Sequence, residues 1–165
     1  MTPRLALALT VALVLSGCHR RVPTSLERKE AANIVSEAEF AVTLKDWPRA
    51  EGLYAKAAEL CPDDGDTWVN LGVVLMHEHK NGPARDAYKS SLSAYAEASK
   101  LAPTDAIPVI RRAYVLVVLG RADDARSLVN EAQARIPNDR RLRAFIESKG
   151  IDKLVADPDI KDITP

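Results

Sequence analysis

Cysteine, glycine and aromatic residues are all scarce in this 165-residue chain: two cysteines, seven glycines and 5% aromatics. Each scarcity excludes something. Cys18 and Cys61 form no zinc-type cysteine pair. No glycine-rich phosphate loop and no G-x-S-x-G elbow occurs, which removes the commonest nucleotide-binding and hydrolase signatures. Net charge is missing too. With 23 basic residues against 23 acidic ones, there is no cationic excess of the kind that neutralises phosphates, so nucleic acid is not an expected partner. The apolar run from Leu5 to Leu15 is too short to span a bilayer as a stable helix. What remains is rich in alanine, leucine and valine, a helical composition.

Catalytic arrangements are absent as well. His77-Glu78-His79 has the residue types of a metal pair, but residues two apart on a helix face different ways, and no third ligand is evident. The segment reads better as a polar helix end leading into Asn81-Gly82-Pro83. Asp63-Asp64 and Asp123-Asp124 fall at loops or helix starts, where carboxylates suit the positive end of the helix dipole. Neither an enzyme nor a metal site is expected, and no cofactor or small-molecule substrate suggests itself.

The amino terminus has its own signature. Arg4 precedes the apolar run, which closes on Leu15-Ser16-Gly17-Cys18. A short basic start, an apolar stretch and small residues at its end form an export signal. The last four residues resemble the lipobox of bacterial lipoproteins. That resemblance implies cleavage of residues 1–17, acylation of Cys18 and no other cofactor. Residues 18–24 then form a short tether, reaching at most about 20 Å when extended. Once Cys18 is acylated, Cys61 has no partner within the chain. It is read as a small, half-buried residue at a helix end. His19 follows the cysteine, where an Asp would resemble an inner-membrane retention signal. The family resemblance therefore implies the periplasmic face of an outer membrane.

Behind the tether, prolines set a rhythm. Pro103 and Pro137 lie 34 positions apart, while Pro62 and Pro103 lie 41 apart. Each closes a similar segment: Ala50, Tyr54, Ala57 and Pro62; Ser91, Tyr95, Ala98 and Pro103; Ala125, Val129, Ala132 and Pro137. Upstream of the second lie Trp68, Leu71, Gly72 and Leu75. These residues resemble the tetratricopeptide repeat. The resemblance implies an all-α helix-turn-helix solenoid of about three repeats, near residues 31–64, 65–105 and 106–139, in a domain spanning 25–149. Small residues admit close helix approach, and large ones fill the layers between. The second repeat carries seven extra residues. Ala84, Tyr88, Ser91, Tyr95 and Ala98 keep a buried face through them, predicting a long helix over about residues 83–101 that projects beyond its neighbours.

Thr24-Ser25-Leu26-Glu27 matches a capping box and predicts a first helix from Ser25 to Leu44. Asp64, Asp66 or Thr67, and Thr104 or Asp105, are candidate caps for later helices. Residues 139–149 form an expected solvating helix with Leu142, Phe145 and Ile146 on one face, stopped at Gly150; Arg140, Arg141 and Arg143 take its wet side. Residues 150–165 read as a tail, with one short helix over Asp152 to Ala156 and irregular chain beyond.

The family geometry implies a concave groove lined by first helices. Here the lining is Val35, Glu39 and Val42; Val69, Asn70, Val73, Met76 and His77; and Ile107, Ile110, Arg111, Tyr114, Val117 and Val118. Most are apolar, and an uncovered trough of that kind exceeds the patch a monomer tolerates. Two occupants are open: a segment of a partner protein, or the tail, through Ile151, Leu154, Val155, Ile160 and Ile163. Asn70 and Arg111 match two positions of the clamp by which some family members hold chaperone tails, but Val35, Glu39 and Ile107 stand at its other sites. The expected role is a lipid-anchored scaffold that binds a protein partner in the envelope, in pilus, secretin or outer-membrane complex assembly. The alternative is a structural spacer or self-associating unit whose groove its own tail fills.

Overall fold

The structure, a computed structural model, describes residues 21–165; the expected leader and the expected acylation site Cys18 lie outside the described residues. Within them the chain is all-α, with nine helices and no strand. They are α1 (Ser25–Thr43), α2 (Trp47–Leu60), α3 (Gly65–His77), α4 (Asn81–Leu101), α5 (Ile107–Val118), α6 (Ala122–Arg135), α7 (Arg140–Glu147), α8 (Gly150–Ala156) and α9 (Pro158–Asp162). Consecutive helices pair: α1 with α2, α3 with α4, α5 with α6. The pairs then stack, α2 on α3 and α4 on α5. The result is a solenoid of helix-turn-helix units, in which each pair covers the apolar face that its neighbour cannot bury alone.

The backbone repeats as faithfully as the sequence. The residues before the three prolines, Cys61, Ala102 and Ile136, adopt nearly the same angles: φ −127°, ψ 72°; φ −127°, ψ 72°; and φ −128°, ψ 60°. A residue preceding proline avoids the helical region, so the second helix of each pair must stop there. The proline then occupies the second position of a tight turn. Its bonds run from Asp64 N to Cys61 O (3.0 Å), Asp105 N to Ala102 O (3.1 Å) and Asp139 N to Ile136 O (3.1 Å).

Turns inside the pairs repeat too, without a shared residue type. Lys45, His79 and Gly120 hold φ at 57°, 59° and 72°. At each, two bonds close the helix end: Asp46 N to Ala41 O with Lys45 N to Val42 O, Lys80 N to Leu75 O with His79 N to Met76 O, and Arg121 N to Leu116 O with Gly120 N to Val117 O. This is the Schellman ending, which satisfies orphan carbonyls by turning one residue left-handed.

Layer packing explains two of the glycines. A methyl at Gly72 would overlap the ring of Tyr88, and one at Gly65 would lie inside the ring of Tyr95. The α3 backbone therefore lies against two tyrosines of α4, both buried. The α4 register carries through: Ala84, Tyr88, Ser91, Ala94 and Tyr95 are buried along one face. At 21 residues against 14 for α2 and for α6, α4 outruns its neighbours, and Leu101 in its last turn is 87% exposed.

Helix starts follow the capping expectations with some corrections. Thr24 and Glu27 form the reciprocal capping box, and Asp64 caps α3 through a bond from Asp66 N. At α5 the cap position is Ala106, without a side-chain bond; Asp105 acts one residue earlier, accepting from Ile107 N at 3.0 Å. The carboxyl-terminal end differs more. α7 stops at Glu147, the left-handed residue is Lys149 (φ 54°), and Gly150 opens α8 instead of ending α7. Gly150 is small for a packing reason, since a methyl there would run into the Phe145 ring. The tail is also more ordered than expected. Pro158 starts α9 at a position where its missing amide costs nothing, and Asp157 caps it through Asp159 N at 3.0 Å.

Candidate partner-binding groove

The residues expected to line a groove stand on α1, α3 and α5, the first helices of the three pairs. Over α1 and α3, Val35, Val42, Val69, Asn70, Val73 and Met76 are half-buried, while Glu39 and His77 are exposed. The imidazole of His77 stacks on Trp47, with centroids 4.2 Å apart and planes 10° from parallel. His79 sits beyond the helix end in the left-handed turn, so the two histidines do not share a helix. No group of three metal-ligating side chains is gathered among the described residues.

α5 is covered by the tail. α8 and α9 both pack on α5, burying Ile151 and Ile160 and half-burying Leu154 and Ile163. Val117 and Val118 of α5 are 5% and 0% exposed. Three polar contacts hold the cover: Tyr88 Oη donates to Ile163 O (3.0 Å), Arg85 donates to Pro165 O (2.6 Å), and Arg126 meets Asp152 (3.1 Å). Tyr114 lies near enough to Asp157 that its phenol is pushed up in pKa, first by burial and then by that carboxylate. So the tail packs on α5, one of the three helices expected to line the groove; Val155, counted among its plugs, instead faces solvent at 44% exposure.

At the boundary between covered and open parts, Asp66 accepts from Tyr95 Oη (2.5 Å) and lies 3.5 Å from Arg111 Nε. Burial and that bond drive the Tyr95 pKa well up. Arg111 is thus engaged within the chain, while Ile107 beside it is 41% exposed. Cys61 is buried at the end of α2, and its burial pushes the thiol pKa up. Sequence reasoning missed the Tyr88, Arg85 and Arg126 contacts, because nothing in their spacing pairs them with the tail.

No family model matches this chain, and no curated protein matches it. Among solved structures, the TPR2B domain in the complex with pHsp70 of yeast Sti1 is similar: 19% identity, 80% of this chain and 95% of that chain covered, TM-score 0.48.

Proposed function

We propose that this chain is a non-catalytic adaptor, held to a bacterial envelope membrane by lipid on Cys18, whose groove over α1 and α3 takes a segment of a partner protein. One observation carries the reading. The chain's own tail, a pair of short helices with isoleucines on the buried side, already lies on the α5 part of that surface. The same face continues over Val69, Val73 and Met76 as apolar side chains without such a cover. A surface that accepts one amphipathic segment offers a second one the same chemistry.

The lipobox-like run ending at Cys18, and His19 after it, support an outer-membrane location on the periplasmic side. More than one acyl chain makes release slow. Assembly of pilus, secretin or other outer-membrane complexes is the process such an adaptor would serve. The test is photo-crosslinking in living cells, with the reactive residue at Val73 in the groove or at exposed Lys56 on α2. An envelope protein captured at Val73 and not at Lys56 is the expected result. Equal capture at both positions, or none at Val73, refutes the adaptor.

The docked tail also favours a second reading: a spacer whose groove is filled by itself. Deleting residues 150–165 separates the two. A spacer loses stability and solubility without gaining any partner, whereas an adaptor captures its partner at Val73 as well as or better than before.

A further inference from the structure

The second helices of the three pairs start in register and end out of it. Ala50, Ala84 and Ala125, all buried, follow the three left-handed turns, and each donates its amide to the carbonyl four residues back: Asp46, Lys80 and Arg121. From these alanines α2 runs to a cap at Cys61 and α6 to one at Ile136, an equal span; α4 runs to Ala102, seven residues further. All of its excess therefore lies at the carboxyl-terminal end, about 10 Å beyond the ends of α2 and α6 at 1.5 Å per residue. Tyr95 marks where the overhang begins. A methyl at Gly65, the first residue of α3, would meet the Tyr95 ring, and Tyr95 Oη donates to Asp66. The residues of α4 after Tyr95 thus pass beyond the start of α3.

At that projecting end Leu101, Ala102, Pro103 and Thr104 are all exposed, Leu101 at 87%, and none carries a charge. The flanking charges are matched: Lys100 pairs with Glu97 (2.8 Å), and Asp105 lies 3.8 Å from Arg141. The tip shares its edge of the solenoid with the start of α1. Arg28, in the first turn of α1, holds Asp63 in the loop after α2 through bonds of 2.6 and 3.3 Å, so α1 begins where α2 ends and α3 starts. Pro23 is buried and Arg21 meets Glu27 at 2.7 Å, which ties the chain to this edge up to residue 21. Arg21 stands three positions after Cys18, a reach of at most about 10 Å. We propose that, given the lipid on Cys18 on which this reading rests, the tip of α4 enters the same lipid surface, with Leu101 among the acyl chains and the solenoid standing on this edge. So short a tether holds the edge against the bilayer, and what projects there beyond α2 and α6 is uncharged and carries an unburied leucine. Such a tip gains by leaving water, whereas a charged one would be excluded. The tip is then the second point of attachment, and it turns the domain's opposite edge, with Lys45, His79 and Gly120, away from the lipid.

The test uses the full chain reconstituted into vesicles of phosphatidylethanolamine and phosphatidylglycerol, some of the lipid carrying a nitroxide on its acyl chain. A fluorophore is attached at Leu101→Cys or at Asn81→Cys, both exposed positions on α4; the parent chain, treated alike, is the blank for buried Cys61. The label at Leu101 should lose roughly half its emission to the nitroxide, while that at Asn81, about 30 Å away along the same helix at 1.5 Å per residue, should lose almost none. Adding Ala102→Asp, a charge that the acyl region excludes, should remove most of the quenching at Leu101. Equal quenching at both labels, none at Leu101, or quenching that Ala102→Asp leaves unchanged overturns the proposal. A Leu101 label shielded from an aqueous quencher but untouched by the nitroxide overturns it too, since a protein then covers the tip. Flotation of the same vesicles separates the premise: a floated chain with an unquenched Leu101 label refutes the inserted tip alone, whereas a chain that does not float refutes the anchor and the tip with it.

Discussion

Replacing Ile160 with alanine puts the docked tail under direct test. Ile160 is 7% exposed in α9, and α9 adds little else: five residues, one cap and the neighbouring Tyr88–Ile163 bond. Removing a buried isoleucine down to its β-carbon costs about 2–5 kcal/mol in a closed core. The low end applies here, because a terminal segment can lift away instead of leaving a cavity. Its loss cannot exceed what docking contributes. A cost of about 2 kcal/mol multiplies the undocked population roughly 30-fold. Limited trypsin digestion reads that population, since Lys153 and Lys161 lie within the tail and cleavage of an opened segment tracks its equilibrium when reclosing is fast. The expected outcome is a rise of about 30-fold in tail cleavage, with cleavage elsewhere unchanged. Val155→Ala, at a position 44% exposed, is the control and should change little. An Ile160→Ala rate within twofold of the parent would mean that Ile160 does not hold the tail, and the docking account would fail.

Other consequences follow from the same structure. Tyr88→Phe removes the donor to Ile163 O and should destabilise tail docking by about 1 kcal/mol, seen in the same digestion as a severalfold faster cleavage. Gly72→Ala forces a methyl into the buried Tyr88 ring and should cost about 1–3 kcal/mol in urea unfolding. His79→Gly and Lys149→Gly relieve left-handed strain in side-chain-bearing residues, so each should raise the melting temperature by a few degrees, about 1 kcal/mol. All four tyrosines have raised pKa values, burial being the first cause in each. The folded state thus keeps phenol protons that the unfolded chain releases near pH 10. Stability should hold below that pH and fall above it, by about 1.4 kcal/mol per pH unit for each of the buried Tyr88 and Tyr95. Ultraviolet titration should show the phenolates of Tyr88 and Tyr95 appearing together with unfolding; ionisation of all four tyrosines in the folded protein near pH 10 would refute this.

The parts of this fold that were readable in the sequence are those with a local cause. Proline forces the preceding residue out of the helical region wherever it stands, so Pro62, Pro103 and Pro137 mark the ends of α2, α4 and α6 unaided. Gly72 and the buried alanines mark close helix approaches for the same reason, lack of volume. The turns inside the pairs were not readable at two of three places. A left-handed residue is expected to be glycine, and only Gly120 obeys; Lys45 and His79 accept the strain because the pairing of two long helices over-determines the turn. At Lys149 and Gly150 the same expectation put the bend one residue late, since Gly150 is kept small by Phe145 and not by its backbone angle. Pro158 stands in the stretch expected to be irregular, yet it starts α9, a distinction that depends on Asp157 supplying the cap. The occupant of the groove was the least legible feature. Partner and tail satisfy the same apolar residues, and only the path of the chain after Lys149 chooses between them over α5.

The division of the groove into a covered α5 part and an open α1–α3 part is best measured by methyl resonances in the presence of a soluble paramagnetic probe. In the full chain, Val117 and Val118 should be shielded while Val69 and Val73 are broadened, and deleting residues 150–165 should expose the first pair without altering the second. Equal broadening of all four valines in the full chain would contradict the account.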